Sequence, residues 1–309
     1  MLISICIPTY SRLEYLKQAV DSCLKQKYEA FEICVSQDPK PDGLDNAIKT
    51  YCEEMVKLYP NKFRYNFNTK NLGLAGNWNV CVRIAKGDYL IIIGDDDLLS
   101  EDFLTAMVAA LNSQKNIAVI FCNQYFINER NELLKEKTDY LNEHYNRNSL
   151  SEGLLMEPVK TVFNRSIPSS SSLIRRDLLL KYPFDERLNT PELEVFLKIA
   201  IAGEVFYYIN KQLASYRLHA QSATSKGLTI HYFVKNLINM EIPIEFEYLR
   251  CKLISNFMIV AVNCAIKSNN RHLAFELLKS KYYPLNKIHY RITQFVILLI
   301  PNFISRKLL

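Results

Sequence analysis

Short apolar runs alternate with helical patterns through the first two-thirds of the chain. Leu2 to Ile7 is rich in Ile and ends at Pro8, which predicts a buried strand. Ser11 stands where it could cap a helix carrying Leu13, Leu16, Val20 and Leu24 at helical spacing. Phe31 to Val35 and Phe63 to Phe67 predict two more strands, and the turn-rich Asp38-Pro39-Lys40-Pro41-Asp42-Gly43 follows the first of them. Gly76 to Ala85 predicts a helix stopped near Gly87, and Tyr89 to Ile93 a fully apolar strand. A helix from about Glu101 leads into a buried strand over Ile117 to Cys122.

Phe126 to Phe163 is less regular. Beyond it, Ser169 to Ile174 predicts a strand, Pro191 to Ala202 a helix ended by Gly203, and Val205 to Ile209 and Ala214 to Leu218 two strand-like runs. After Ser225 the pattern becomes long and helical, broken near Pro243, Ser268-Asn269-Asn270 and Pro284. Strands alternating with helices predict an α/β fold with a mostly parallel sheet covered on both faces. The change of pattern predicts a first domain over residues 1–225 and a helical segment over 226–309. Ligands of such sheets bind beyond the carboxyl ends of the strands. That rule selects Pro8-Thr9-Tyr10, Gln37-Asp38 and Asp95-Asp96-Asp97.

Composition adds a few limits. The chain has 309 residues, 49% hydrophobic and 23% charged, which excludes a disordered chain or a rod and provides for a sizeable core. Its net charge is +6, unevenly spread. Residues 226–309 carry twelve Lys or Arg and four Glu, a surplus of eight, so the part before them is near −2. A basic tail on a near-neutral body predicts an anionic partner or a solvated helical surface. Its apolar stretch Gln294 to Ile304 lies between His289 and Arg291 on one side and Arg306 and Lys307 on the other. Basic flanks suit a helix lying in a membrane interface, and the alternative is a core helix.

No run of 18 apolar residues exists, so no simple spanning helix is predicted. The N-terminus enters a strand with no basic leader. The eight cysteines show no C-x-x-C spacing, and five of them sit in apolar runs. That distribution predicts free thiols in a reducing, cytoplasmic setting and no zinc site. A nucleic-acid role is not indicated, because the basic segment lacks an interleaved aromatic platform.

The sharpest chemical feature is Gly94-Asp95-Asp96-Asp97, directly after an apolar strand. Adjacent carboxylates repel unless a cation or water compensates them. Hard oxygen ligands suit Mg²⁺ or Mn²⁺ bridging to phosphates, whereas an acidic turn capping the next helix is the structural alternative.

Five segments in order resemble family 2 glycosyltransferases with the GT-A fold. They are Ser4 to Arg12, Asn71-Leu72-Gly73, Lys86-Gly87-Asp88-Tyr89 with Asp95-Asp96-Asp97, Glu192 to Ile199, and Ser215-Tyr216-Arg217-Leu218-His219. The resemblance covers about residues 2 to 222. It implies an inverting, metal-dependent transfer of a sugar from a nucleoside diphosphate, of UDP or dTDP type, to an acceptor hydroxyl. It further implies a glycan or lipid-linked glycan acceptor in bacterial surface-polysaccharide synthesis, at the cytoplasmic face of a membrane.

Carried onto this chain, the donor-binding residues are Pro8, Thr9, Tyr10, Arg12, Asp38, Asn71, Asp95, Asp96 and Arg217. The metal residues are Asp96 and His219, holding Mn²⁺ or Mg²⁺. Two departures stand out. Gly94 takes the first place of the usual Asp-x-Asp-Asp motif, and Pro191-Glu192 replaces the usual Glu-Asp pair. Glu192 aligns with the catalytic base, with Glu194 as the alternative. The two lie about 200° apart around a helix and cannot share one target. Thr190 as a cap, with Pro191 at the first helical position, would give Glu192 only a helix-dipole role. A nucleotidyltransferase would be expected to carry a Gly-rich phosphate loop after the first strand, which Pro8-Thr9-Tyr10 is not. A non-catalytic nucleotide- or membrane-binding scaffold is the remaining alternative.

Overall fold

A computed structural model describes residues 1–40, 46–219 and 229–301. The chain runs β1 (Ile3–Thr9), α1 (Leu13–Leu24), β2 (Phe31–Gln37), α2 (Asn46–Leu58), β3 (Phe63–Phe67), α3 (Gly73–Ile84) and β4 (Tyr89–Ile92). It continues through β5 (Leu98–Leu99), α4 (Phe103–Ser113), β6 (Ile117–Ile127), α5 (Lys135–His144), β7 (Gly153–Leu154), α6 (Pro158–Phe163), β8 (Ser172–Arg175) and α7 (Arg176–Lys181). The last elements are α8 (Glu192–Ile201), β9 (Val205–Arg217), α9 (Ile230–Asn239), α10 (Glu247–Lys267), α11 (Arg271–Lys279) and α12 (Ile288–Leu299).

One nine-stranded sheet carries the order β3-β2-β1-β4-β8-β6-β9-β5, with β7 also paired to β9. The pairs β1–β2, β2–β3, β1–β4 and β6–β9 are parallel. β8 runs antiparallel between β4 and β6, and the short β5 and β7 run antiparallel to β9. From β1 the chain moves outward to β2 and β3, then returns to the other side of β1 as β4. The crevice beyond the ends of β1 and β4 is therefore the topological switch point. Thr9 and the acidic loop both emerge there.

Burial follows the pattern. β2 and β4 are buried along their whole length, as a sheet covered on both faces requires. One face packs on α1, α2 and α4 through Leu16, Val20, Ile48, Phe103 and Met107. The opposite face packs on α3, α6 and α8, and the same apolar cluster runs on into α9, α10 and α11. Phe196 of α8 and Ile254 of α10 belong to it together. The expected boundary at residue 225 lies outside the described residues, as do Pro41, Asp42, Gly43 and the flanking Arg306 and Lys307.

Several elements differ from the sequence expectation. Ile48, Cys52 and Met55 bury one face of α2, which the strand-rich reading passed over. Val205 to Leu218 does not form two strands; β9 runs on through a register shift against β6. Arg12, not Ser11, is the residue before α1, and no side chain caps it. Ser169 to Ser171 forms a 3-10 turn ahead of β8, so that strand starts three residues late. Pro191 takes the cap position of α8, and Glu192 is its first residue.

All eight cysteines are free, six of them buried. One helical stretch, Ile244–Lys267, is long and apolar enough to cross a membrane by length and composition. Leu253, Ile254, Met258, Ala261 and Val262 of that stretch are buried in the cluster that α9 and α11 share.

Candidate active site

Gly94-Asp95-Asp96-Asp97 turns directly off β4, and each carboxylate has a different environment. Asp95 is 2% exposed and accepts the Thr9 hydroxyl (2.7 Å). Arg12 bridges Asp95 and Asp96 with its two terminal nitrogens. The Asp96 carboxylate also meets His219 Nε2 at 2.8 Å, and Arg12 Nη1 lies 3.0 Å from that nitrogen. Asp97 turns inward. It accepts the Arg217 backbone N–H (2.9 Å) and the Ser170 hydroxyl (2.7 Å). Burial raises the pKa of both Asp95 and Asp97, and the negative charge of Asp96 raises both further. Arg12 opposes this at Asp95, and the Arg217 N–H and Ser170 hydroxyl oppose it at Asp97.

Gly94 leaves little room for a side chain as this loop is folded. A Cβ there would lie 2.4 Å from Asp96 Oδ1 and 3.1 Å from Asp97 Oδ2. A side chain in that place would displace the Asp96 carboxylate.

Asp38 sits beyond β2, 3% exposed. It accepts from the Asn68 amide (2.9 Å) and the Leu72 backbone N–H (3.1 Å). Burial nevertheless leaves its pKa raised. Asn68 also donates to Asn77 (3.0 Å), whose own amide reaches the carbonyls of Ser36 (3.0 Å) and Thr9 (3.3 Å). This ladder ties the ends of β1, β2 and β3 into one floor. Pro8 and Tyr10 are half-buried beside it. Asn71 is exposed, and its side-chain oxygen accepts the Gly73 N–H (2.8 Å) at the start of α3. The structure does not join it to the acidic loop through any described hydrogen bond.

Arg217 corrects an expectation. Its side chain is 1% exposed, and its guanidinium donates to the Asp96 carbonyl (2.7 Å), the Asn128 carbonyl (3.0 Å), Asn131 (2.5 Å) and Gln18 (3.1 Å). It also lies 4.6 Å from the Tyr15 ring centroid. A guanidinium so enclosed spends its N–H groups on the chain itself and holds the backbone of the acidic loop in place.

A cavity of about 530 Å³ opens between β6, α5, α8 and the segment 165–170. Ser170, which holds Asp97, lines it, and so does Glu192 at the start of α8. Burial pushes the Glu192 carboxyl up to about 7. Glu194 does not line this cavity. Its carboxylate pairs with Lys198 (2.6 Å) and accepts from Asn236 (2.7 Å). Trp78 packs edge-on against Phe184 with ring centroids 5.2 Å apart, as a core residue does.

Among the described residues no group of three His, Cys, Asp or Glu side chains could hold a metal ion. Asp96 and His219 supply one oxygen and one nitrogen, so an ion there would need substrate oxygens and water to complete its shell. Sequence reasoning passed over Asn68, Ser170 and the cavity wall formed by Gln124, Arg147 and Arg165. The one visible signal was the polar Asn123-Gln124 inside the otherwise apolar β6 run.

Comparison with known proteins bears on the family and the fold. The family model for glycosyl transferase family 2 matches residues 4–182. Abequosyltransferase RfbV of Salmonella typhimurium is 27% identical over 267 residues, 80% of this chain and 75% of that protein. The hyaluronan synthase of Pasteurella multocida is 26% identical over 241 residues, 76% of this chain but only 23% of the synthase. Among solved structures, S. aureus TarS 1-349 in complex with UDP-GlcNAc superposes with a TM-score of 0.60 at 17% identity, covering 97% of this chain and 82% of that one. The mannosyltransferase PcManGT from Pyrobaculum calidifontis, in complex with GDP-Man and Mn²⁺, gives a TM-score of 0.57 at 15% identity, covering 96% and 86%.

Proposed function

The chain belongs to glycosyl transferase family 2, and from that premise we propose an inverting transfer of a sugar from a nucleoside diphosphate to an acceptor hydroxyl, with Glu192 as the base. The observation that carries this reading is a cavity lined both by Glu192 and by Ser170, whose hydroxyl donates to Asp97 of the acidic loop. The nucleoside lies over the floor built from Pro8, Thr9, Tyr10 and Asp38. Its ribose or a metal-bound water meets Asp95, and its diphosphate meets Arg12 and the ion held at Asp96. Asp96 and His219 would hold a divalent ion, Mn²⁺ or Mg²⁺, which supplies positive charge against the departing diphosphate.

The acceptor oxygen attacks C1 on the face opposite the diphosphate. The C1–O bond to the β-phosphate breaks, and its electron pair leaves with the diphosphate. Glu192 takes the acceptor proton, as the base does in any inverting displacement. Arg12 offers positive charge to the leaving group. Arg217 acts as a positioning residue that fixes the backbone of Asp96.

The acceptor is a glycan, in the lipid-linked form used for surface polysaccharides, and the chain works at an anionic membrane surface. Support for that surface comes from α12. Ile292, Phe295, Val296 and Leu299 are 60%, 42%, 53% and 70% exposed, following Ile288 at helical spacing. Lys287 and Arg291 adjoin this stripe in the chain, and α12 contains no acidic residue. Apolar area rimmed by cations fits the headgroup boundary of anionic lipids.

The test is thermal stability against a panel of nucleoside diphosphates, with and without Mn²⁺. A bound ligand raises the melting temperature by mass action. One nucleotide should shift it, with the metal required and the shift lost in Asp96→Ala. No shift with any nucleotide, in folded protein, overturns the reading.

A further inference from the structure

The cavity beside Glu192 is lined by more positive charge than its proposed chemistry needs. Lys137, Arg147 and Arg165 face it, and Glu192 is the single carboxylate among its lining residues. Arg147 is 3% exposed. Its Nε donates to the Ser166 carbonyl (3.0 Å) and its Nη1 to the Asn142 side chain (3.2 Å), both neutral acceptors. Among the described residues no carboxylate lies within ion-pair distance of it. A buried cation held only by neutral groups costs free energy that a fold ordinarily avoids.

The arrangement is repeated next to it. The guanidinium carbons of Arg147 and Arg165 lie 5.0 and 5.5 Å from the centroid of the same Tyr145 ring. Arg165 is also 5.5 Å from the Phe257 ring, and has left-handed backbone geometry (φ 59°) that brings it there. Two like charges sharing one ring repel each other, and an anion between them would relieve that repulsion. Gln124 lines the same cavity, 5% exposed, and its side-chain oxygen has no hydrogen-bond partner among the described residues.

We propose that this cavity receives a sugar bearing an oxyanion, a carboxylate or a phosphate, whose charge is met by Arg147 and Arg165. Lys137, exposed on α5, adds to the field, and Gln124 accepts from a sugar hydroxyl. Guanidinium pairs with oxyanions are charge-assisted and directional, which makes them specificity elements as well as attractions. Phe126, Tyr216 and Phe233 supply apolar faces of the kind sugar rings pack on. The inference rests on the transferase reading, because it assigns the charge class of one of the two sugars that reading requires. The charged sugar is either the donor's own or that of the acceptor.

The test is calorimetry and thermal shift on the full chain. Two pairs of probes separate the sources: UDP-glucuronate against UDP-glucose for the donor, and methyl glucuronide or glycerol 3-phosphate against methyl glucoside for the acceptor. Within one pair the anionic probe should bind about tenfold tighter, the effect of one charge-assisted hydrogen bond. Arg165→Gln should abolish that preference while leaving the affinity for bare nucleoside diphosphate unchanged. Arg147→Met is the second variant. It removes a buried charge without a counter-ion, so its melting temperature should equal or exceed the parent's, and the preference should again be lost.

Equal binding of the anionic and neutral members in both pairs overturns the inference. So does a loss of bare nucleotide affinity in Arg165→Gln matching the loss for the charged sugar, since the cations would then serve the diphosphate. Nucleotide binding with no anion preference defeats this inference alone. Absence of nucleotide binding defeats the transferase reading, and the glucuronide and glycerol 3-phosphate probes are read without it.

Discussion

Replacing Glu192 by Gln should make the protein more stable and less active, and both changes should depend on pH. Burial raises this carboxyl from its ordinary 4.5 to about 7. A raised folded pKa means that the fold prefers the protonated acid. The contribution to stability is then complete below about pH 4.5, falls as pH rises, and is fully lost above about pH 7. A shift of that size corresponds to roughly 3 kcal/mol between the two limits. Glutamine keeps the shape and cannot ionise. Its variant should match the parent at pH 4.5 and melt roughly 5 °C higher at pH 8, at about 2 °C per kcal/mol for a large chain. Turnover should move the opposite way. Loss of a general base costs about 10²–10⁴-fold, and the parent's rate should climb with pH through about 7 as the carboxyl ionises. Melting curves from pH 4.5 to 8, paired with nucleoside diphosphate release, read both effects on one preparation. Parallel melting curves for parent and variant would show that the carboxyl is not held near neutrality. Undiminished turnover in the variant would remove Glu192 from the chemistry.

Three other perturbations probe separate parts of the site. Gly94→Ala places a Cβ 2.4 Å from Asp96 Oδ1. It should cost about 1–3 kcal/mol of stability and weaken metal-dependent nucleotide binding, and a variant with unchanged nucleotide affinity would show that the loop has room to yield. Glu194→Gln breaks the pair with Lys198 but keeps the Asn236 contact. Because Glu194 is buried, the change should lower stability by about 1–3 kcal/mol and leave turnover within about twofold, whereas collapse of turnover would give Glu194 the role proposed for Glu192. Ile292→Asp with Phe295→Asp puts charge on the exposed stripe of α12. Sedimentation with vesicles of phosphatidylglycerol should fall more than about tenfold, since burying each parent side chain is worth about 1.5–3 kcal/mol, and equal sedimentation would clear α12 of any membrane role.

The sequence made the sheet legible because its central strands are buried on both faces and read as unbroken apolar runs. Tyr89 to Ile93 could be little else. The same rule hid α2, whose buried residues Ile48, Cys52 and Met55 are spaced among charged neighbours after a turn-rich stretch. It also divided β9, because Asn210-Lys211-Gln212 reads as a break although the chain passes through it as an irregular strand. At the site, the acidic triplet announced itself by like charges standing side by side. Which carboxylate faced outward was settled by contacts some 75 to 120 residues away, with Ser170 and Arg217 turning Asp97 inward. Arg217 shows the limit of reading a basic residue by its charge. Two of its partners are backbone carbonyls, and no sequence pattern marks those.

Buried charge separates framework from site in this molecule. Glu32 is 2% exposed, yet it accepts from Ser4 (2.7 Å), Arg64 (2.5 Å) and the Lys86 N–H (2.5 Å), and these bonds leave its pKa lowered despite burial. Asp185, clasped by Arg187 and Asn236, falls to about 2. Such groups are satisfied by the chain itself, and their ionised forms are part of the folded structure. Glu192 at about 7 and Arg147 at about 10 are displaced the other way, and burial is the leading cause in both. Both line the same cavity. Destabilised ionic forms gathered around one space are the electrostatic mark of a functional site, because a proton or a charged ligand can supply what the fold withholds. One of the two needs a proton and the other an anion. On the function and the inference proposed above, an acceptor hydroxyl would bring the first and a charged sugar the second.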